Sequence, residues 1–167
     1  MPSGGTMATN VALAPIDAAG LLRAQVQEVH AELDSYFSKW LCSLDPAAPA
    51  PGSLAVALYV HAATAEDVTV QALLRKRAPI YQTDWAGKGP ARYSTADLEP
   101  VRAYATQVFA ATDAYLAGLS TSGLSQRVDL SRHGLSTPTV AWVVSKFVVL
   151  QLARICGEFT HTVQNRS

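Results

Sequence analysis

The sequence has little charge and no excess of either sign. Only 16% of its 167 residues are charged, and 13 Lys and Arg residues balance 13 Asp and Glu residues. Proteins that bind nucleic acid or anionic membrane surfaces carry basic patches, and this composition supplies no such excess. We therefore expect no nucleic-acid partner and no membrane partner.

Cysteine and targeting signals are also scarce. Cys42 and Cys156 are the two cysteines, and no Lys or Arg precedes Arg23, so the basic start of a secretory signal is missing. The most apolar segment, residues 140–150, is shorter than the roughly 20 residues that span a membrane and is interrupted by polar side chains. We expect a soluble, cytoplasmic protein with reduced thiols.

Apolar residues make up 49% of the chain, and they recur with helical spacing. The pattern predicts helices over residues 17–44, 53–77, 95–119 and 138–163, with no strand-like alternation. Residues 1–15 are expected to form a disordered tail and 16–167 a single domain. These features favour an all-α four-helix bundle with a long connector, residues 120–136, between helices three and four.

One histidine stands out in the second predicted helix. His61 falls on the apolar stripe of that helix, which predicts an inward side chain and a candidate acid or base. A buried histidine that simply hydrogen-bonds a neighbour is the structural alternative. His30, by contrast, has polar neighbours in the sequence and is expected on a solvated face without a functional role.

The last predicted helix carries polar residues on one stripe. Gln151 follows the apolar half of this helix and is expected to begin the polar floor of a pocket, with Arg154 and Glu158 further along. The alternative is that the helix leaves the core near Arg154, so that these side chains are solvated. Apolar pocket walls are expected from three aromatic residues: Tyr59, Trp142 and Phe147.

Two segments carry a family resemblance. Residues 53–67 (SLAVALYVHAATAED) and residues 134–138 (GLSTP), which lead into RICGE at 154–158, resemble the DinB-like or YfiT-like helical superfamily. The resemblance covers about residues 18 to 163. It implies a helical bundle, relatives among thiol-dependent transferases and maleylpyruvate isomerases, and a divalent metal held by three histidines.

The resemblance also implies that this metal site is lost. His61 matches the first ligand position, but the two later positions fall on Gln151 and Ile155, which are a poor ligand and a non-ligand for transition metals. We therefore predict no metal and no other cofactor. The open alternative is that Glu158 and His161 turn inward and rebuild a site with His61, which would restore metal-dependent thiol transfer.

Two classes of function remain open at this stage. The first is a metal-independent enzyme for isomerisation, cyclisation or thiol addition on a small organic molecule, with His61 as acid or base and Gln151 as a hydrogen-bonding orienter. The second is a non-catalytic small-molecule-binding or assembly domain. Because residues 140–150 are apolar on nearly all sides, we also predict a homodimer.

Overall fold

The computed structural model describes residues 17–43, 54–81 and 98–164, with side chains up to His161 in the last helix. The described residues form an all-α helical bundle, which confirms the predicted fold class. Its helices are α1 (Ala18–Cys42), α2 (Leu54–Asp67), α3 (Leu98–Ala117), α4 (Thr121–Leu124), α5 (Val140–Val144) and α6 (Leu150–Gln164).

Helix α1 begins and ends as its sequence predicts. Asp17 caps it, because its Oδ1 accepts a hydrogen bond from the backbone N–H of Gly20 at 3.0 Å. At the other end, the N–H of Ser43 donates to the carbonyls of Lys39 and Trp40. The buried stripe includes Leu22, Val26, His30, Leu33, Phe37 and Trp40.

Two long helices of the bundle contain a π-helical segment, and each of these continuous helices is called a rod below. The first π segment, Val68–Leu74, continues α2. The second π segment, Ser145–Val149, joins α5 to α6. Each π turn holds one residue more than an α turn, which shifts the direction of the side chains that follow, and such segments are frequent at functional sites.

The connector between α3 and α5 is compact. It contains α4, a 3₁₀ turn (Ser131–His133) and an isolated antiparallel bridge between Arg127 and Thr139. Because the N–H of Val128 donates to the Pro138 carbonyl at 2.7 Å, residue 138 belongs to this bridge and not to the helix. The predicted helix start at 138 is therefore wrong by two residues, and Thr139 is the cap, with its Oγ1 accepting from the N–H of Trp142.

The core is built where α1 packs against α3 and α6, and α2 packs against the same two helices. Its centre is aromatic. Phe37 stacks on Tyr59 with ring centroids 4.0 Å apart and meets Phe159 edge-on. Phe37 and Phe159 are almost fully buried, so truncation of either is expected to cost about 3–5 kcal/mol of stability.

The last rod is the most apolar part of the described chain. By length and composition alone, Val140–His161 could cross a membrane. However, Val143, Val144 and Val148 point into the bundle and are fully buried, and a core helix of a soluble protein has the same composition. This single helix does not point to a membrane protein.

Several sequence predictions lie outside the described residues. They are the N-terminal tail of residues 1–15 and the stretches 44–53 and 82–97, where the first three predicted helices end and begin.

Candidate functional site

The structure places His61 on the surface, so the prediction of an inward side chain is wrong. His61 is exposed, and its Nε2 lies 3.3 Å from Nε2 of the half-buried Gln151. The two residues that were expected to act together are therefore neighbours, one on α2 and the other on α6. The inward face of α2 instead carries Tyr59, Ala62, Ala63 and Glu66.

The reason for this error is that α2 is apolar on nearly every side. Its first ten residues, Leu54 to Ala63, contain His61 as their one polar side chain besides the Tyr59 hydroxyl. A helix of this kind gives no unambiguous apolar stripe, so its rotation is fixed by packing and not by the pattern. In the structure Leu54 and His61 share the exposed side.

Three of the predicted pocket residues do not line a described cleft. Tyr59 is buried, and its hydroxyl donates to Asp34 of α1; burial first, and then the Asp34 carboxylate, hold the pKa of Tyr59 above its ordinary value. Arg154 and Glu158 form an exposed ion pair at 3.2 Å. These two side chains are thus solvated, as the alternative interpretation expects, but the helix does not leave the core near Arg154, because Ile155 and Phe159 are buried.

Trp142 and Phe147 do line clefts, one each. Their rings meet edge-to-face with centroids 5.7 Å apart, at the end of the bundle where the connector folds over the rods. Leu135 of the connector borders both clefts.

The more apolar cleft, hereafter the π-helix cleft, has a volume of about 320 Å³. It lies between the two π segments, which contribute Thr69 and Leu73 on one side and Phe147 on the other. The connector forms its remaining wall. Its full lining is Thr69, Leu73, Leu130, His133, Leu135 and Phe147.

The second cleft is a recess of the connector itself. It has a volume of about 350 Å³ and is lined mainly by the backbone and small side chains of residues 135–139, together with Arg127 and Trp142. The Arg127 guanidinium donates to the Thr137 carbonyl at 2.8 Å, so this cation already holds the loop.

A polar cluster that the sequence did not reveal lies inside the bundle. His30 of α1 is buried, and its Nε2 lies 2.8 Å from Oε2 of Glu66, which is 1% exposed. The imidazole also stacks on Phe109 of α3 with centroids 4.0 Å apart. Among the described side chains, no donor reaches the other Glu66 oxygen, Oε1.

Asp67 extends this cluster to the end of the bundle. It is fully buried, and its carboxylate accepts hydrogen bonds from the backbone N–H groups of Ile80 and Tyr81 and from the Tyr104 hydroxyl at 2.9 Å. Burial, followed by the Asp67 charge, raises the pKa of Tyr104. The carboxylate therefore ties α2 to α3 and to the segment that follows the first π segment.

The prediction of a solvated His30 is therefore wrong, and the spacing contained the signal. Val26, His30, Leu33 and Phe37 follow one another at intervals of three or four residues, as core residues of a helix do. Glu66 and Asp67 gave no such signal, because paired carboxylates near a helix end are usually solvated.

The described residues contain no group of three His, Cys, Asp or Glu side chains placed to hold a metal ion. His61 has Gln151 beside it, and Ile155 is buried in the core. Glu158 and His161 are exposed on α6. The residues at the three ligand positions of the family, His61, Gln151 and Ile155, do not fit a three-histidine site. That the protein binds no metal stays a prediction.

Cys156 is a free thiol buried in the core. Burial, followed by the charge of Glu32, raises its pKa to about 11. A thiol with this pKa is almost entirely protonated at neutral pH and is a poor nucleophile.

These features define the chain as an all-α helical-bundle protein with an apolar cleft at one end. Comparison with known proteins supports the fold. A crystal structure of a conserved protein from Enterococcus faecalis is similar over 89% of this chain and 96% of its own, with a TM-score of 0.65 and 16% identity. At that identity the likeness concerns the fold alone. The chain matches no family model and no curated protein.

Proposed function

We propose that this protein is a small-molecule-binding helical bundle whose ligand occupies the π-helix cleft. The observation that carries the proposal is the position of this cleft: two π segments from different rods flank it, and four of its six lining side chains are leucine or phenylalanine. Ligand sites are typically concave and mostly apolar with a few polar groups, and Thr69 and His133 are the polar groups here. Cytoplasmic location, self-association into a homodimer and DinB-like membership accompany this proposal as predictions.

A binding role fits the chemistry of the lining better than catalysis does. His133 is the one imidazole among the lining side chains of the π-helix cleft, and it is exposed. The lining contains no carboxylate and no thiol with which it could form an acid–base or nucleophile pair.

The test uses N-phenyl-1-naphthylamine, a neutral dye that fluoresces in apolar surroundings. We expect saturable binding to the wild-type protein and at least about tenfold weaker binding to Leu135→Ser and Phe147→Ser, because each removes apolar contact area worth about 1.5 kcal/mol or more. Leu150→Ser is the matched control, since Leu150 is 52% exposed on the same rod and lies outside the lining. Absence of saturable binding, or equal losses in all three variants, would refute the proposal.

Acid–base catalysis at His61 is the second candidate function. Its support is that an exposed imidazole lies beside an amide that can orient it, at 3.3 Å. In thiol addition to an activated alkene, His61 would accept the thiol proton as the sulfur–carbon bond forms, and would return it to the carbon next to the carbonyl.

This second candidate is tested with glutathione and trans-4-phenyl-3-buten-2-one. Catalysis by His61 requires turnover above the uncatalysed rate, reduced by about 10²–10⁴-fold in His61→Ala. A wild-type rate equal to the uncatalysed rate, or full turnover in His61→Ala, removes the candidate. Thermal unfolding of the variant provides the control for folding.

A further inference from the structure

Exposed cations adjoin the lining residues of the π-helix cleft in the sequence. The first π segment supplies Leu73 to the lining and then continues into Arg75, Lys76 and Arg77. The 3₁₀ turn places Arg132 between the lining residues Leu130 and His133. Both segments therefore carry cations within a few residues of the lining.

Lys76 is distinguished by its backbone. It has φ 55°, and it is the one non-glycine residue of the described chain with a positive φ. It ends the helical rod in the left-handed conformation in which glycine is the common choice, since a side chain there costs free energy. A strained residue of this kind is found preferentially where its side chain has a function.

Lys76 and Arg132 act on the same carboxylate. Hydrogen bonds from Ser131 are the main cause that lowers the pKa of Asp129, and the charges of Lys76 and Arg132 lower it further. The two cations thus lie within electrostatic reach of one point, although they are more than fifty residues apart in the sequence. Asp129 alone does not balance them, and Arg77 adds a further exposed cation beside Lys76.

Arg75 differs from these cations. Its guanidinium donates to the Gln71 side chain at 3.1 Å, so it is held against the rod. Lys76, Arg77 and Arg132 are exposed. They are therefore the side chains that we expect to reach a ligand at the mouth.

We infer that the cleft takes an amphipathic anion: a molecule with a short apolar chain that fills the space between Leu73, Leu130 and Phe147, and a carboxylate or phosphate head that meets Lys76 and Arg132. This inference rests on the proposed function, which it refines by naming the class of ligand. An apolar body gives affinity through burial, and the cationic rim selects the sign of the head group.

The experiment compares four probes with the same chain and different heads: octanoate, octyl phosphate, octanol and octyltrimethylammonium, each measured by displacement of N-phenyl-1-naphthylamine. We expect both anions to bind about tenfold more tightly than octanol, and the cation more weakly than octanol. Tighter binding of octyl phosphate than of octanoate supports a phosphate head, and the reverse order supports a carboxylate head.

Variants then test whether Lys76 and Arg132 cause the preference for an anionic head. Lys76→Gly combined with Arg132→Gln is expected to lower octanoate affinity by about threefold to tenfold, the range for exposed charge pairs, and to leave octanol affinity unchanged. Lys39→Gln, which removes an exposed lysine from the end of α1, is the control and should change neither. Lys76→Gly alone should raise the thermal unfolding temperature, because it relieves the left-handed strain.

The outcomes separate this inference from the proposed function. If octanol and the dye fail to bind, the cleft is not a ligand site and both proposals fail. If octanol binds as tightly as octanoate, or the double variant keeps the full preference for the anion, only the amphipathic anion is refuted. Salt dependence of the wild-type protein gives a check without any variant: the preference for octanoate over octanol must fall as ionic strength rises.

Discussion

The two histidines of the first two helices have opposite environments. His30 is buried against Glu66 and Phe109 between α1, α2 and α3, whereas His61 is exposed beside Gln151 between α2 and α6. In the sequence the expectation is the reverse, because His61 has apolar neighbours and His30 has polar ones. The comparison teaches that neighbours along a helix do not fix burial; the position of the residue relative to the packed face does.

The two regions also differ in what their polar groups do. Around His30 and Asp67, carboxylates are held by side chains and backbone N–H groups of three elements, which makes the cluster part of the fold. Around the π-helix cleft the lining is mainly apolar. Of its two polar residues, His133 is exposed, and Thr69 is buried with its hydroxyl donating to the Ala65 carbonyl. This is the region that we propose binds a ligand. We therefore expect mutations in the first region to lower stability and those in the second to lower binding.

The largest effect is expected at Asp67. Asp67→Ala removes the acceptor shared by the N–H groups of Ile80 and Tyr81 and the Tyr104 hydroxyl, so the free energy of unfolding should fall by about 3–5 kcal/mol. Urea denaturation followed by circular dichroism measures this change. Glu28→Ala, at an exposed carboxylate of α1, is the control and should change stability by less than about 0.5 kcal/mol. A loss at Asp67 no larger than that of the control would show that the cluster is not structural.

The next effect tests the two histidines directly. His30→Ala leaves the buried Glu66 carboxylate without its partner and removes the contact with Phe109, so we expect a loss of about 3 kcal/mol. His61→Ala removes an exposed side chain and should cost less than about 0.5 kcal/mol. The same urea experiment measures both. A larger loss of stability in His61→Ala than in His30→Ala would refute the assignment of His30 as the structural histidine.

The two cysteines give a smaller and independent test of burial. Cys42 is exposed and Cys156 is buried, and the pKa of Cys156 is raised to about 11. At pH 8 the higher pKa alone lowers the thiolate fraction of Cys156 about 100-fold relative to an ordinary thiol, and burial lowers access further. Mass spectrometry after iodoacetamide treatment should therefore show Cys42 modified first. In Cys42→Ser the native protein should react slowly, and rapid modification of Cys156 would contradict the packing described here.

The smallest expected effect is that of a chelator. With Gln151 and Ile155 at the two other family ligand positions, His61 lacks the protein donors that a zinc or iron site needs. Incubation with EDTA should leave the thermal unfolding temperature unchanged, and elemental analysis should find well under one metal ion per chain. About one metal per chain, lost in His61→Ala, would instead establish a site that Glu158 and His161 help to form.

The order and extent of the helices could be predicted from the sequence, whereas their rotation could not in every case. The stripe of α1 and the caps at Asp17 and Thr139 are local signals, so the predicted starts at residues 17 and 138 lie within two residues of the observed starts at Ala18 and Val140. The orientation of α2 depends on its packing against α3 and α6. For this reason Glu66 and Asp67 were missed and His61 was misplaced.

The site was only partly predictable for a related reason. Trp142 and Phe147 were identified as pocket residues from their aromatic side chains, but they line different clefts. The two π segments have no sequence signature that we can identify, and the lining of the π-helix cleft joins residues 69 and 73 to residues 130–147. Contacts of this range follow from tertiary packing and not from periodicity.

The most direct test of the account is a map of backbone amide shifts on adding octanoate to the uniformly ¹⁵N-labelled protein. The account predicts that the largest shifts cluster at the lining of the π-helix cleft, namely Thr69, Leu73, Leu130, His133, Leu135 and Phe147, and extend to Lys76 and Arg132. The amides of His30, Glu66, His61 and Gln151 should move little. Shifts centred on His61 and Gln151, or a saturated protein with no shifts at the cleft, would contradict it.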